Sequence, residues 1–285
     1  MAPDQVTVFI PVTHYHRDFL HQAIASVFRQ TRTDWRLLIV VSPDQDGHFR
    51  EVLAEPLQDP RVRLVHNPRP RLAGAYNTAM EVVETGFIAA LMGDDLLAPE
   101  AVEVLGQEIR KSPGTDFFHS GRYFVDQKAV RLSSDYLPTL PVVHDSFLGS
   151  SPVKHLMCWR AARALAAGGV DETLENFGSD DRDFPWTMLE QGLSFTAIPR
   201  ALYVFRDHRE SFRLTTHVPR STQLRTLHRI LQKHQVDPAE IRRRLRRARR
   251  SFLKQSLFHN PLHRWLRLKL RGYPVPGDGW REPYR

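Results

Sequence analysis

The chain has 285 residues, 41% of them hydrophobic and 25% charged, which is typical of globular proteins and excludes disordered and fibrous ones. The formal net charge of +8 is uneven, because residues 220–285 contain 18 Lys and Arg against 4 Asp and Glu, whereas residues 1–219 contain 22 against 28. The basic character therefore belongs to a tail that follows a mildly acidic body.

The sequence has no pattern typical of a membrane span or an export signal. Its apolar runs, such as residues 37–41 and 87–93, are far shorter than the about 20 apolar residues that a bilayer requires. The first residues lack the basic region and the apolar stretch of a secretory signal. A single cysteine, Cys158, excludes an intrachain disulfide framework and favours a reducing compartment. We therefore expect a cytoplasmic protein, either soluble or held at the inner face of the cell membrane.

Short β-rich runs alternate with helical patterns through the first 125 residues. In chain order the predicted elements are strand 6–12, helix 19–30, strand 35–41, helix 48–57, strand 62–66, helix 72–84, strand 87–92, helix 99–111 and strand 117–125. This alternation predicts a mostly parallel, doubly wound sheet. Because such sheets bind ligands at the carboxyl ends of their strands, residues 13–16, 42–46 and 93–95 should line one crevice. No G-x-G-x-x-G follows the first strand, which disfavours a dinucleotide-binding oxidoreductase.

Two adjacent carboxylates, Asp94 and Asp95, follow the fourth predicted strand. Carboxylates held together at a strand end are unfavourable unless water or a cation neutralises them. Mg²⁺ or Mn²⁺, which prefers one or two carboxylates together with phosphate oxygens, would suit this pair. A solvated turn with a helix cap is an equally good interpretation of the two residues.

A second acidic cluster, Asp180, Asp181 and Asp183, precedes a predicted helix that begins near Pro185. The helix dipole favours ionised carboxylates at this position, and an ionised carboxylate in a cleft can act as the general base for a hydroxyl. Helix capping is the alternative for any one of them. Farther along, His208 could bind a metal or a phosphate, although most of the 14 histidines are expected to be structural or exposed.

Taken in order, these segments resemble a family 2 glycosyltransferase with the GT-A fold. The matching segments are the first strand with Pro11 and the helix that follows it, residues 62–67 with 73–77, residues 88–100 with the acidic metal motif, residues 168–181 with the catalytic base, and residues 206–211 with a late histidine. The resemblance covers residues 5–215.

The resemblance implies a fold and a division of the chain. A Rossmann-like, mostly parallel sheet flanked by helices would occupy residues 1–219, with a nucleotide-binding half over residues 1–125 and an acceptor half over residues 126–219. A basic helical extension would follow over residues 220–285.

The resemblance also implies a reaction and a set of site residues. The reaction is inverting transfer of a sugar from a nucleotide-diphosphate sugar to an acceptor hydroxyl, with Mg²⁺ or Mn²⁺ as cofactor, in the synthesis of a cell-surface polysaccharide, a glycolipid or a glycosylated metabolite. Asp181 would be the catalytic base, with Asp180 its nearest rival. The implied nucleotide-sugar contacts are Pro11, Thr13, Tyr15, Asp44, Arg71, Asn77 and Asp94, the metal ligands Asp94, Asp95 and His208, and the acceptor-stacking residues Trp159 and Trp186, for both of which core packing is the alternative.

Two departures from the family pattern bear on function. Met92 stands where the family often has a metal-side aspartate, so that Asp94 and Asp95 must do more of the binding. In place of the family's usual Asp-Asp-Gly-Ser turn after the second strand, this chain has Ser-Pro-Asp-Gln at residues 42–45. Two other functions are alternatives: a nucleotidyltransferase, which the missing Gly-rich signature disfavours, and a non-catalytic nucleotide-sugar-binding module, which Met92 favours.

The basic tail contains two predicted helices, residues 222–235 and 238–258, and a further basic piece over residues 262–270 that contains Trp265. In the second helix, apolar residues recur every three or four positions among arginines. Three interpretations are open. The apolar stripe packs on the body, or the helix binds anionic lipid, where each Lys or Arg contributes about 1 kcal/mol, or it binds nucleic acid, which the acidic body disfavours.

Overall fold

Strands and helices alternate through the first compact unit of the computed structural model, Met1–His217. The structure describes residues 3–12, 15–138, 142–149, 151–174, 177–208 and 218–258, with backbone alone over 252–258. In chain order this unit contains β1 (Val6–Val12), α1 (Arg17–Phe28), β2 (Arg36–Val41), α2 (Asp46–Val52), β3 (Val62–His66), α3 (Arg71–Val82), β4 (Phe87–Ala90), β5 (Leu96–Leu97), α4 (Ala101–Lys111), β6 (Phe117–Val125), β7 (Met157–Arg160), α5 (Ala161–Ala166), α6 (Phe184–Glu190) and β8 (Phe195–Arg206). The predicted α/β class is confirmed.

These eight strands form one sheet in the order β3-β2-β1-β4-β7-β6-β8-β5. β1 to β4 are parallel, and β8 is parallel to β6. β7 runs antiparallel between β4 and β6, and β5 is antiparallel to β8. The carboxyl ends of β1 to β4, β6 and β8 therefore lie at one edge of the sheet, together with the residues that precede β7. We call this the carboxyl edge, where ligands bind to open parallel sheets.

The central strands are apolar on both faces because helices cover both faces of the sheet. Along β1, Val8 belongs to a buried cluster that includes Leu20 of α1. The next residue, Phe9, points to the other face and meets the ring of Tyr76 in α3 edge-on, with centroids 4.8 Å apart. Each large side chain buried in this way contributes about 1.5–3 kcal/mol to folding. Packing on both faces fixes the register that aligns the strand ends at the carboxyl edge.

The second unit, Val218–Arg285, contains α7 (Arg220–Lys233) and α8 (Pro238–Phe258). Asp237 caps α8 by accepting the backbone N–H of Ala239 at 2.8 Å. The arginines at 242, 243, 246, 247, 249 and 250 are exposed, whereas Ile241 is buried. With 3.6 residues per turn, these arginines share one side of the helix and Ile241 lies on another.

The three interpretations of the tail stay predictions, and residues 262–270 lie outside the described residues. Among the helices that the structure describes, none combines the length and the apolar character needed to cross a membrane.

His119 in β6 is a titratable group inside the core. Its side chain is fully buried, and neither ring nitrogen has a hydrogen-bond partner among the described residues. Burial lowers the pKa of His119 from 6.5 to about 4, because the apolar surroundings disfavour the charged ring. The unfolded chain therefore binds a proton between pH 6.5 and 4 that the folded chain does not bind, and stability is lost as the pH falls through this window.

We expect His119→Phe to make the protein less sensitive to acid. At pH 5 the proton bound by the unfolded chain favours unfolding of the wild type by about 2 kcal/mol, a penalty that the variant lacks. Urea unfolding at pH 7.5 and pH 5 measures this loss. Phe118→Leu, on the same buried strand, is the matched control and should keep the wild-type dependence on pH. If His119→Phe and the wild type lost the same free energy of unfolding between pH 7.5 and pH 5, the prediction would be contradicted.

Candidate active site

A buried carboxylate fixes the turn that leaves β4 at the carboxyl edge. Asp95 is 3% exposed. It accepts a hydrogen bond from the Tyr203 hydroxyl and another from the backbone N–H of Arg206, both at 2.7 Å. The same hydroxyl accepts the backbone N–H of Met92 at 3.2 Å. Tyr203 and Arg206 belong to β8, so Asp95 ties the exit of β4 to the end of β8.

The side chain of Arg206 completes this attachment. Its guanidinium is buried and donates to the backbone oxygen of Asp94 at 2.8 Å, to the backbone oxygen of Gln127 at 2.8 Å and to Gln22 Oε1 at 2.7 Å. It also lies over the ring of Phe19, 4.3 Å from the centroid. These contacts hold the main chain of Asp94 in one position.

Asp94 and His208, two of the predicted metal ligands, lie together. Asp94 Oδ2 and His208 Nε2 are 2.9 Å apart, and the buried His208 ring packs edge-on against Phe19 at 5.2 Å. Asp94 is half-buried and so remains accessible from the carboxyl edge. The third predicted ligand, Asp95, instead binds Tyr203 and Arg206.

A divalent cation fits Asp94 and His208 as a two-ligand site. No group of three or more His, Cys, Asp or Glu side chains that could hold a metal ion occurs within the described ranges. One carboxylate and one imidazole nitrogen nevertheless match Mg²⁺ or Mn²⁺ sites that take their other ligands from phosphate and water. Met92, which replaces an acidic residue of the family pattern, brings no oxygen from its side chain.

The second acidic cluster lies on a π-helical turn, Ser179–Asp183, directly before α6. Gly178 enters the turn at φ 74°, and the backbone N–H of Asp183 donates to the Gly178 oxygen at 2.8 Å. Single π-helical turns of this kind are frequent at functional sites. The turn buries Asp180 and leaves Asp181 half-exposed.

Asp180 faces two side chains that the sequence patterns did not single out. Its Oδ2 atom lies 3.5 Å from the Tyr76 hydroxyl and 3.7 Å from His155 Nε2. Burial, followed by the negative charge of Asp181, raises the pKa of Asp180 to about 7. Burial lowers the pKa of His155 to about 4, although Asp181 and Asp94 both act in the opposite direction. His155 therefore lies within electrostatic reach of both acidic clusters and is neutral at pH 7.

The predicted nucleotide-side residues lie at the carboxyl ends of β1 to β3. The Tyr15 hydroxyl and His48 Nε2 are 2.5 Å apart, and the exposed Asp44 accepts a hydrogen bond from Ser42. Arg71 is exposed at the start of α3, where its φ is 67°, and it donates to the backbone oxygen of Glu172 at 3.2 Å. Pro11 pairs with Val40 within the sheet, and Thr13 lies outside the described residues.

Asn77 is one of the predicted nucleotide contacts, but in the structure its side-chain amide binds other parts of the protein. Its amide nitrogen donates to the Val170 oxygen at 2.9 Å and to Glu172 Oε1 at 2.7 Å, and its oxygen accepts the Val170 N–H at 2.8 Å. Gly169, with φ 65°, approaches so closely that a Cβ there would lie 2.5 Å from Asn77 Oδ1. The Asn77 side chain therefore clamps α3 to the loop that follows α5.

Trp159 and Trp186 require a correction, because both are fully buried and present no face on which a sugar could stack. Trp159 is stacked with Phe117 at a ring distance of 5.8 Å and donates its N–H to the sulfur of Met80 at 3.0 Å. Trp186 stacks on Phe147 at 5.3 Å. Core packing, the alternative for both residues, is what the structure shows.

Comparison with known proteins gives one family. The model of Glycosyl transferase family 2 matches residues 7–157 of the chain. The chain is 26% identical to chondroitin synthase of Escherichia coli over 172 residues, which are 60% of this chain and 25% of that protein. It is 27% identical to the succinoglycan biosynthesis protein ExoW of Rhizobium meliloti over 179 residues, covering 56% of each. The match spans about a quarter of the length of the first curated relatives, at 22% and 25%.

Two solved structures have a similar fold. TarS 1–349 of S. aureus in complex with UDP-GlcNAc gives a TM-score of 0.57 at 14% identity, over 80% of this chain and 66% of that chain. The mannosyltransferase PcManGT from Pyrobaculum calidifontis, in complex with GDP-Man and Mn²⁺, gives 0.56 at 15% identity, over 94% and 79%. Such likeness at low sequence identity establishes the fold.

We expect Asp95→Ala to destabilise the protein much more than Asp94→Ala. The first change leaves the buried Tyr203 hydroxyl and the Arg206 N–H without their acceptor. We expect it to lower the free energy of unfolding by about 3 kcal/mol. The second removes one hydrogen bond from a half-buried carboxylate. Urea unfolding at pH 7.5 measures both variants, and an equal loss of stability in the two would contradict the structural role of Asp95.

Proposed function

The chain belongs to glycosyl transferase family 2 and has the GT-A fold, and from this premise we propose that it transfers a sugar, with inversion, from a nucleotide-diphosphate sugar to an acceptor hydroxyl. One observation carries the proposal: the accessible carboxylate of Asp94 lies 2.9 Å from His208 at the end of β4, and the second acidic cluster faces His155, which precedes β7 at the same edge of the sheet. One acidic group is thus available for the donor and another for the acceptor. The UDP-GlcNAc and GDP-Man bound in the two similar structures support a donor of this class.

Asp181 is our choice for the catalytic base. In a direct displacement the acceptor oxygen attacks the anomeric carbon from the side opposite the leaving nucleoside diphosphate, and its proton passes to a base on that side. Asp181 is half-exposed and can reach a bound hydroxyl, whereas Asp180 is buried. Because Asp180 faces Tyr76 and His155, we assign it a positioning role in the turn that carries Asp181.

Asp94 and His208 would hold Mg²⁺ or Mn²⁺. When bound, the cation would offset the negative charge that develops on the leaving diphosphate. The protein prepares this site with its own groups, because Arg206 fixes the main chain of Asp94 and the packing of Phe19 fixes the ring of His208. The Mn²⁺ bound in the similar mannosyltransferase supports metal dependence here.

The product class follows from the relatives and from the charge of the chain. The similarity to chondroitin synthase and ExoW supports synthesis of a polysaccharide more than of a glycolipid or a glycosylated metabolite. The exposed arginines of α8 support contact with an anionic membrane surface, and the buried free thiol of Cys158 supports a reducing, cytoplasmic compartment.

We expect Asp181→Asn to abolish sugar transfer and to leave nucleotide binding unchanged, because the amide cannot take up the proton of the attacking hydroxyl at neutral pH. Donor and acceptor are first identified by thermal shift and product screening with the wild type. Turnover is then measured with that pair, and nucleotide affinity by calorimetry. Asp180→Asn is the matched variant and should retain more transfer than Asp181→Asn. The reverse order would make Asp180 the base, and wild-type turnover in Asp181→Asn would refute our assignment.

We expect Asp94→Ala to weaken nucleoside diphosphate binding at least tenfold in the presence of Mn²⁺, and to have little effect in its absence. The carboxylate is one of two groups that would hold the cation against the diphosphate. Calorimetry of UDP and GDP with and without Mn²⁺ measures the difference. Glu108→Gln, in an exposed ion pair on α4, is the control and should behave as the wild type. An unchanged Mn²⁺-dependent affinity in Asp94→Ala would argue against this metal site.

A further inference from the structure

Lys154 is a cation at the carboxyl edge that neither the sequence patterns nor the mechanism uses. It lies next to His155, three residues before β7, and is half-buried. Among the described residues it has no hydrogen-bond acceptor and no carboxylate within 4 Å. Burial lowers the pKa of Lys154, and the charges that act on it are those of Asp181, Arg122 and Arg182. Holding an ammonium group out of water without a partner is unfavourable, so such a group is suited to a ligand that supplies the missing charge.

Arg122 is a second cation of this kind. Its guanidinium lies over the ring of Phe205, 4.8 Å from the centroid, and has no carboxylate within 4 Å in the part of the chain that the structure describes. The pairing of β6 with β8 places Arg122 beside Tyr203, whose ring lies 5.3 Å from the ring of His155. Arg122, in β6, and Lys154, in the segment that precedes β7, therefore both lie near the ring of His155.

Arg182 adds a third positive charge on the same side. It directly follows Asp181 in the π-helical turn, and its guanidinium donates to the backbone oxygen of Phe147 at 2.6 Å. We call Arg122, Lys154 and Arg182 the basic cluster. It adjoins the half-exposed carboxylate of Asp181 and, on the buried side, Asp180.

We propose that the basic cluster binds an anionic group of the acceptor, a phosphate or a carboxylate, and thereby places the neighbouring hydroxyl at Asp181. This inference rests on the proposed glycosyl transfer. A guanidinium and an ammonium are the side chains that recognise phosphate and carboxylate in proteins. An anion bound here would supply the missing partner of Lys154 and Arg122, which a neutral acceptor cannot do.

The position of the cluster favours the acceptor over the diphosphate of the donor. The donor diphosphate belongs with Asp94 and His208, the two groups proposed to hold its cation. The carboxylate that acts on Lys154 is Asp181, the proposed base. A charge requirement at this place selects between acceptors, because a neutral analogue would leave Lys154 and Arg122 without an anionic partner.

Inorganic phosphate is the probe for this site, used with the 285-residue chain. Calorimetry measures phosphate binding alone and in the presence of Mn²⁺ and saturating UDP or GDP. The variants are Lys154→Met, which removes the charge at similar length, and Lys154→Arg, which keeps it. Lys111→Met, at the exposed end of α4, is the control. Thermal unfolding establishes that each variant is folded.

We expect phosphate to bind the wild type even when the nucleoside diphosphate is saturating. Lys154→Met should weaken this binding at least tenfold and leave nucleotide affinity unchanged, whereas Lys154→Arg and Lys111→Met should bind phosphate within about threefold of the wild type. Competition between phosphate and the nucleoside diphosphate would assign the cluster to the donor and overturn the proposal, as would the absence of phosphate binding at millimolar concentration. If Lys154→Met does not fold, the competition experiment on the wild type decides alone.

Failure of the proposed function has a different signature. In that case the wild type would bind neither UDP nor GDP with Mn²⁺ and would release no nucleoside diphosphate from any nucleotide sugar. Phosphate binding that depends on Lys154 would then show an anion site without glycosyl transfer, and the acceptor assignment would be withdrawn. If transfer occurs, acceptors with and without the anionic group, such as glycerol 3-phosphate and glycerol, should differ at least tenfold in kcat/KM with the wild type and by less with Lys154→Met.

Discussion

A buried carboxylate holds together two strands that are more than a hundred residues apart in the chain. Asp95 leaves β4 and accepts hydrogen bonds from Tyr203 and from the main chain of Arg206 in β8. Together with the guanidinium of Arg206, which donates to the backbone oxygen of Asp94, this attachment fixes the turn after β4. The two adjacent acidic residues thus have different roles. Asp95 accepts hydrogen bonds from within the protein, whereas the accessible carboxylate of Asp94 lies beside His208.

The antiparallel insertion of β7 supplies the other side of the site. Because β7 runs against its neighbours, its amino end lies at the carboxyl edge, and the residues before it enter the crevice. His155 and Lys154 reach Asp180 and Asp181 in this way. A uniformly parallel sheet would have placed the same two residues at the opposite edge, far from both acidic clusters. The placement of His155 and Lys154 therefore depends on one strand of four residues, Met157–Arg160.

The fold and the site residues were easier to predict over residues 1–125 than over residues 126–217, for physical reasons. β1, β2 and β4 are buried on both faces and appear as continuous apolar runs, so that the polar residues after them could be assigned to one edge. β7 is too short to show a pattern, and nothing local marks His155 as the neighbour of two acidic clusters. Trp159 and Trp186 were ambiguous because burial depends on partners distant in sequence, such as Phe117 and Phe147. The role of Asn77 likewise depends on a partner that is distant in sequence, the main chain around Val170.

The clamp between Asn77 and the loop after α5 limits how this enzyme can adapt. Three hydrogen bonds join α3 to the loop that follows α5, and the contact at Gly169 is so close that even a methyl group has no room. A hinge at this point would have to break all three bonds together. A change of specificity that keeps this clamp must therefore come from substitutions in the surrounding loops.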